Sequence, residues 1–338
     1  MMTKRPLLLQ ICIPFCVRQC SYCDYPYCTY DPGTLRAYRD ALLAEIESCS
    51  SEFPDHQVNA VSIEGGSPAL LGPDALFQVL MKVKKVFSCT SDLQISLQTM
   101  PGDYSRALME KMWDAGVNHW IVGLQTTQSA EHELLKRPYK FDALTMIDMA
   151  VKTFAPRALS FDLLAGIPGQ TEHSLMRSLE HCLYYAPDHM SIYPLRIHPG
   201  SEMEAAAISH TDGSVSSSAS ALEDYAAAVL QEYGFTRYTK YDYSRDGHVH
   251  RYRLQYLQGC EQLGIGYHAE SWVDGVMWKN GHSLQEYIEH SAEFDVIASG
   301  LIRPDEASVE KMRKQRRALL YPAVSGTLLQ QTAAGTED

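Results

Sequence analysis

Residues 7–28 read LLLQICIPFCVRQCSYCDYPYC, an apolar run that breaks at Pro14 and gives way to a loop carrying Cys16, Cys20 and Cys23. The run Leu7–Ile13 is short, apolar and closed by proline, which reads as a buried strand. The C-x3-C-x2-C spacing behind it brings three thiolates together in a tight turn. Soft thiolates select zinc or iron–sulfur clusters. A structural zinc site needs four closed ligands, commonly as two close pairs, and no second pair is present. A [4Fe–4S] cluster on three cysteines leaves one iron open for a small molecule, and the spacing favours this reading. Cys12 alternates with Ile11 and Ile13 and reads as a small buried residue. Cys28 reads either as a spare thiol or as a further ligand.

Working outward, short strand-like runs alternate with amphipathic helical stretches. The strands are expected at Leu7–Ile13, Ala60–Ile63, Leu93–Leu97, Trp120–Leu124, Leu159–Leu163 and Met190–Tyr193. Helices are expected near Thr34–Ser48, Pro73–Val86, Tyr104–Ala115, Phe141–Thr153 and Glu172–Tyr185. Such a series makes an α/β protein, either an open doubly wound sheet or a full or partial barrel, with its chemistry at the carboxyl ends of the strands. The unusual residues fall there: the cysteine loop after the first strand, Glu64-Gly65-Gly66-Ser67-Pro68 after the second, Gln98 after the third and Gln125 after the fourth. The fifth strand carries Asp162. A Ser-rich stretch, Ser209–Ser220, reads as a linker, followed by a helix at Ala221–Tyr233 and a fraying tail over the last dozen residues. The domains are accordingly expected at 1–208 and 221–338.

The chain of 338 residues is 45% apolar and 21% charged, an ordinary globular composition that excludes disordered and fibrous classes. No apolar run reaches the ~18 residues of a membrane helix. A formal charge of −12 disfavours a general grip on nucleic acid or on an anionic membrane. Nine cysteines, five of them between Cys12 and Cys28, fit a metal or redox site in a cytoplasmic protein better than a disulfide framework.

The ordered motifs Ile13-Pro14-Phe15-Cys16, Tyr22-Cys23-Asp24, Glu64–Pro68, Gly116-Val117-Asn118, Gly123-Leu124-Gln125, Asp162–Thr171, His189–Tyr193 and Leu263–Gly266 together resemble the radical S-adenosylmethionine (SAM) superfamily. In detail they resemble its oxygen-independent coproporphyrinogen III oxidase and haem-chaperone (HemN/HemW-type) group. The resemblance implies a partial (β/α)6 TIM-like barrel with a small, shortened C-terminal α/β extension. It implies an oxidoreductase that reductively cleaves SAM at a [4Fe–4S] cluster to form a 5′-deoxyadenosyl radical, acting on a small-molecule, porphyrin-related substrate and fed by an electron donor such as flavodoxin or ferredoxin. Cys16, Cys20 and Cys23 would hold the cluster. Tyr22, Gly65, Gly66, Ser67, Gln98, Gln125, Arg137 and Asp162 would bind SAM: Tyr22 against the adenine, the glycines beside the amino group, Gln125 and Asp162 on ribose hydroxyls and Arg137 on a carboxylate. Without the resemblance, Arg137 at a helix end reads as a surface charge offsetting the helix dipole.

Several positions depart from the group. Gln10 and Cys12 stand where Tyr and His are usual, Gln98 where Glu is usual, and His119 where Arg follows Gly-Val-Asn. The chaperone's His-Asn-x-x-Tyr run reads Tyr252-Arg253-Leu254-Gln255-Tyr256 here. Haem binding and delivery is thus an alternative function lacking its usual histidine, with His248 and His250 nearby but read as exposed. Radical methylation is a third reading. The segment Tyr238–Tyr256 reads as packing surface with snorkelling arginines or as the lining of a pocket for an aromatic acid.

Overall fold

The computed structural model describes residues 4–140, 158–204 and 215–321, with residues 145, 147, 148 and 151. The helix expected at 141–153 falls largely outside these residues, as do 209–214 of the expected linker and the tail from 327.

Six strands, β1 (Arg5–Ile13), β2 (His56–Gly65), β3 (Cys89–Thr99), β4 (His119–Gln125), β5 (Leu159–Ala165) and β6 (His189–Pro194), pair in parallel and in chain order. An unreversed order with right-handed crossovers puts the connecting helices on one side of the sheet, whereas a doubly wound sheet reverses its order to use both. The sheet therefore closes round on itself. Residues from all six strands, among them Gln10, Glu64, Gln98, Ile121, Asp162 and Ser191, line one internal cavity. β1 and β6 do not pair with each other, so the barrel is partial.

Alternation along each strand sorts the residues. Leu9, Ile11, Ile13, Val61, Ile63, Ile95, Leu97, Trp120, Val122, Phe161, Leu163, Met190 and Ile192 face outward into one continuous apolar core under the helices. Burying each such side chain is worth about 1.5–3 kcal/mol. The covering helices are α1 (Pro32–Glu52), α2 (Pro73–Val86), α3 (Arg106–Asp114), α4 (Ser129–Leu135) and α5 (Glu172–Tyr184). α1 starts where the Asp31 carboxylate accepts the Thr34 N–H at 2.8 Å, with Pro32 in the first turn. α5 starts on a capping box between Thr171 and Ser174. The short α4 has no counterpart in the sequence reading.

The chain continues through α6 (Val215–Glu232), β7 (Thr236–Arg237), β8 (Asp242–Ser244), α7 (Arg251–Gln258), β9 (Glu261–Ile265), β10 (Glu270–Val273), β11 (Val276–Asn280), α8 (Leu284–His290), α9 (Phe294–Ile297), β12 (Ala298–Ile302) and α10 (Glu306–Arg317). The stretch expected to be a linker up to Ser220 is already helical from Val215. Its Ser residues share α6 with the buried series Ala219, Leu222, Ala226, Val229 and Leu230, whose spacing makes an apolar stripe that outweighs weak local propensity. β8 pairs antiparallel with β6 and β9 pairs parallel with β1, and α7, which joins them, crosses the base of the barrel: Arg251 donates from its N–H to the Gln94 side chain and from its guanidinium to the Asn59 and Asp92 carbonyls at the amino-terminal halves of β2 and β3.

Tyr38 on α1 fastens this junction. Its hydroxyl donates to the Cys12 carbonyl at 2.7 Å and accepts the Tyr267 N–H at 2.9 Å. Beside it the Glu45 carboxylate accepts from Gly266 N–H, Asn280 and Tyr287, and burial pushes its pKa up to about 7. Tyr38→Phe keeps the ring and removes both bonds, leaving a buried N–H without its partner. Urea denaturation should show a loss of about 1–3 kcal/mol; a change within a few tenths would dismiss Tyr38 as the fastening.

Candidate active site at the mouth of the barrel

The cysteine loop continues the sheet. Beyond the end of β1, Gly66 N–H donates to the Ile13 carbonyl at 2.8 Å and Ser67 N–H to the Phe15 carbonyl at 2.7 Å. A Cβ on Gly65 would lie 2.7 Å from the Ile13 oxygen; on Gly66 it would lie 2.4 Å from the Phe15 oxygen and 2.8 Å from Cys16 Sγ. The two glycines are thus required first by the chain's own close approach to itself, whatever else they meet. On the far side, Ser21 donates from its N–H to the Leu135 carbonyl and from its hydroxyl to the Leu134 carbonyl, and accepts Met203 N–H at 2.9 Å. Cys28 is fixed by its N–H on the Pro14 carbonyl and does not line the pocket described next.

Cys16, Cys20 and Cys23 line one pocket with Tyr22, Gly65, Gly66, Ser67, Gln98, Gln125 and Arg137. Burial pushes the Cys16 thiol up to about 12, with Cys20 and Cys23 adding to the effect and Arg137 opposing it. Arg137 is 6% exposed, which overturns its reading as a surface charge. The preceding Lys136 adopts left-handed backbone, φ 50°, and turns the next side chain back toward the barrel. One Nη of Arg137 donates to the Tyr22 hydroxyl at 3.2 Å and approaches Cys20 Sγ at 3.6 Å; the other donates to the Gly123 carbonyl. Burial works against its charge, but Tyr22 and Cys20 outweigh it and raise its pKa.

Two buried polar atoms here have no protein partner: Arg137 Nε, a donor, and Gln125 Oε1, an acceptor. Gln125 itself sits at φ 71°, an uncommon backbone for a non-glycine. Three soft sulfurs, a spare cationic donor and a spare acceptor fit an open cluster carrying a ligand with both carboxylate and hydroxyl groups. Asp103, absent from the sequence reading, joins the wall. It accepts Met100 N–H at 2.7 Å and is pushed up to about 6 by burial.

Asp162 takes a different position. It points into the barrel lumen, a neighbouring cavity of about 460 Å³. Burial and the nearby Asp242 push it up to about 7. Three histidines lie deep in the barrel, with the His119 ring centroid 5.4 Å from that of His189 and 5.1 Å from that of His250. His189 bonds Ser160 and Tyr238, each at 2.6 Å, and His250 bonds Ser96 at 3.1 Å. Both nitrogens of His119 are unpartnered. Burial holds all three neutral, His119 at about 4 and the others well below the usual range. Tyr252, Arg253 and Tyr256 of α7 line the lumen from its base. The segment Tyr238–Tyr256 thus divides: these residues line a pocket, while Arg237 and Arg245 lie over Tyr243, Tyr321 and Phe235 outside it. His248 is exposed as expected, but His250 faces the lumen. Polar residues at alternate strand positions, Ser96/Gln98, Ser160/Asp162 and His189/Ser191, are the signal by which the lumen could have been found.

Tyr25 and Gln98 line both cavities and form the wall between them.

A fold of this kind, with three cysteines at the mouth of a six-stranded partial barrel, matches the model of the radical SAM superfamily over residues 11–182, and the chain belongs to that superfamily. Membership implies a [4Fe–4S] cluster and SAM. Within it the similarities are of the HemN/HemW type. The chain is 29% identical over 260 residues to radical S-adenosyl methionine domain-containing protein 1, mitochondrial, of Bos taurus, covering 75% of this chain and 58% of that protein. It is 27% identical over 270 residues to the heme chaperone HemW of Buchnera aphidicola subsp. Acyrthosiphon pisum, covering 79% of this chain and 70% of that one. Among solved structures, coproporphyrinogen III oxidase (HemN) from Escherichia coli shares the fold with a TM-score of 0.77 at 20% identity, over 94% of this chain and 76% of that one. The chain spans 58% of the length of the first of these relatives.

Two outcomes follow from this geometry. Gly66→Ala should destabilise the protein by about 1–3 kcal/mol in chemical denaturation, because the added Cβ would meet backbone and a fixed sulfur; an unchanged midpoint would mean that the loop gives way freely. Asp162 binds its proton more tightly in the folded chain than in the unfolded one, so between pH ~4 and ~7 folding stability falls as pH rises on its account. Asp162→Asn removes that slope. The variant should gain on the wild type in melting temperature from pH 5.5 to pH 8, and parallel melting curves across that range would count against it.

Proposed function

We propose that this chain is a radical SAM enzyme that cleaves SAM at a cluster held by Cys16, Cys20 and Cys23 and acts on an organic substrate lodged in the barrel lumen. The observation that carries this reading is the wall of Tyr25 and Gln98 shared by the cysteine pocket and the lumen, which sets a radical source beside a substrate-sized cavity. When bound, the cluster supplies the single electron that breaks the sulfonium C–S bond. The protein's part is placement. Arg137 Nε would meet the SAM carboxylate by a charge-assisted bond, Gln125 Oε1 would accept from a hydroxyl, and Tyr22 and the Gly65-Gly66-Ser67 edge would hold the adenine and the amino end. Gln98 orients the nucleoside at the passage to the lumen. Asp162 belongs to the substrate side on this reading, where its raised affinity for a proton suits a hydrogen-bonding partner.

Residues 1–208 then make the radical-generating core, and 221–338 floor its lumen through α7. Likeness to HemN and the Tyr252-Arg253-Tyr256 lining support a porphyrin-related substrate and oxidase-like chemistry. A flavodoxin- or ferredoxin-like donor would supply the electron. Nine free cysteines suit a reducing, cytoplasmic setting. A second reading, haem delivery, is favoured by the HemW relatives and by His250 beside Tyr252 in the lumen wall.

The test is anaerobic reconstitution with iron and sulfide, dithionite reduction with SAM, and chromatography of the products. The wild type should bind about four irons per chain and release 5′-deoxyadenosine. Alanine at Cys16, Cys20 or Cys23 should abolish both, and Cys28→Ala should keep both. An intact cluster without 5′-deoxyadenosine sinks the enzyme reading, and a flat haemin titration removes the carrier reading.

A further inference from the structure

Cys12 is 1% exposed, inside the barrel wall on β1, and its sulfur lies 2.6 Å from the Tyr25 hydroxyl. Tyr25 in turn is half-buried and lines both the cysteine pocket and the lumen. Phenol O–H and thiol S–H bonds are weak enough to yield a hydrogen atom to a carbon radical, whereas the amide of Gln98, which shares the wall, holds its hydrogens too strongly. The thiol keeps its proton, because burial pushes its pKa up to about 12.

We propose that Tyr25 and Cys12 form a hydrogen-atom relay that quenches carbon radicals at the junction of the two cavities. The proposal rests on the radical reading above and extends it: a carbon radical stranded at the junction with no substrate to oxidise, the 5′-deoxyadenosyl radical included, leaves as a closed-shell molecule with a hydrogen returned to it. In the first step the carbon radical takes the hydrogen atom of Tyr25 O–H, forming a C–H bond and leaving the tyrosyl radical. In the second, that radical takes the hydrogen atom of Cys12 S–H, restoring the phenol and leaving a thiyl radical. One electron from the low-potential one-electron donor that also serves the cluster, with one proton from water, restores the thiol. Tyr25 is the catalytic residue; Cys12, which acts through it, is the positioning and resupplying residue.

The experiment uses SAM alone as probe, with the reconstituted, dithionite-reduced full chain in D2O and no added thiol. The O–D bond of water is too strong to be drawn on, so a deuterium in 5′-deoxyadenosine reports an exchangeable side-chain hydrogen. Label is read by mass spectrometry per 5′-deoxyadenosine formed, which makes it independent of turnover. The wild type should give predominantly singly deuterated product over many turnovers. Tyr25→Phe should lower the labelled fraction several-fold. Cys12→Ser, whose O–H is too strong to resupply the phenol, should limit labelled product to about one per chain. An unchanged label in Tyr25→Phe overturns the proposal and points to Tyr22 or Tyr27, which also line the pocket. Absence of any 5′-deoxyadenosine from the wild type is a failure of the enzyme reading instead.

A second arm needs no cluster. In the purified protein the infrared S–H stretch of Cys12, identified by its loss in Cys12→Ser, reports the 2.6 Å contact with the Tyr25 hydroxyl, whichever group donates. It should shift in Tyr25→Phe. A band that does not move overturns the relay regardless of the first arm.

Discussion

The approach of Gly65 and Gly66 to the backbone of Ile13–Cys16 is the constraint from which the site follows. It carries the β1–β2 pairing past the end of β1, so that Cys16 leaves the sheet at a fixed height and direction. With Ser21 held to the end of α4 and to Met203, a loop of small and polar residues becomes a rigid ligand arm. Rigidity matters because a ligand set held by backbone bonds does not have to be ordered when its cofactor binds. Relaxing the contact would lose the cradle, the thiol positions and the wall behind them together.

How much of this was readable from sequence differs by element. The alternation of strands and helices was readable because each strand's outward face is apolar without a break, and the strands differ from expectation only at their ends. The choice of barrel over doubly wound sheet was not, since both share the same local pattern; strand order decides it. The lumen was harder still. A parallel sheet covered on both sides ordinarily reads as apolar throughout, and a lone Ser160 or His189 within such a run passes for a satisfied core polar residue. Only the repetition of polar residues across neighbouring strands marks a wet interior. Arg137 was misjudged on local grounds because its position after α4 resembles many dipole-offsetting charges, and the left-handed Lys136 that turns it inward leaves no mark in composition.

The sequence reading gave the glycines to the ligand, and the structure gives them to the fold first. The two accounts are compatible in space: a backbone edge stripped of side chains to admit the Cys16 loop also presents a bare edge to the pocket. A feature required for folding thereby supplies an opening for a cofactor.

α7 settles the character of the lumen. Because β8 ends at the base of β6 and β9 begins at the base of β1, the helix between them crosses that end of the barrel, and its inward residues supply a floor that six strands cannot. The cations it and β11 bring to that cavity are Arg253 and Lys279. Arg253 Nε lies 3.8 Å from the Asp242 carboxylate without a hydrogen-bond partner, and Lys279 lies 3.6 Å from Glu270. The buried histidines are neutral, and Asp162 titrates near neutrality. A ligand that drove several carboxylates deep into this space would find one buried cationic donor to spare, Arg253 Nε, and its other carboxylates would lose their hydration without replacement. The lumen instead suits a ligand whose buried part is uncharged and rich in hydrogen-bonding N–H or O–H groups, with its acidic substituents kept toward the mouth.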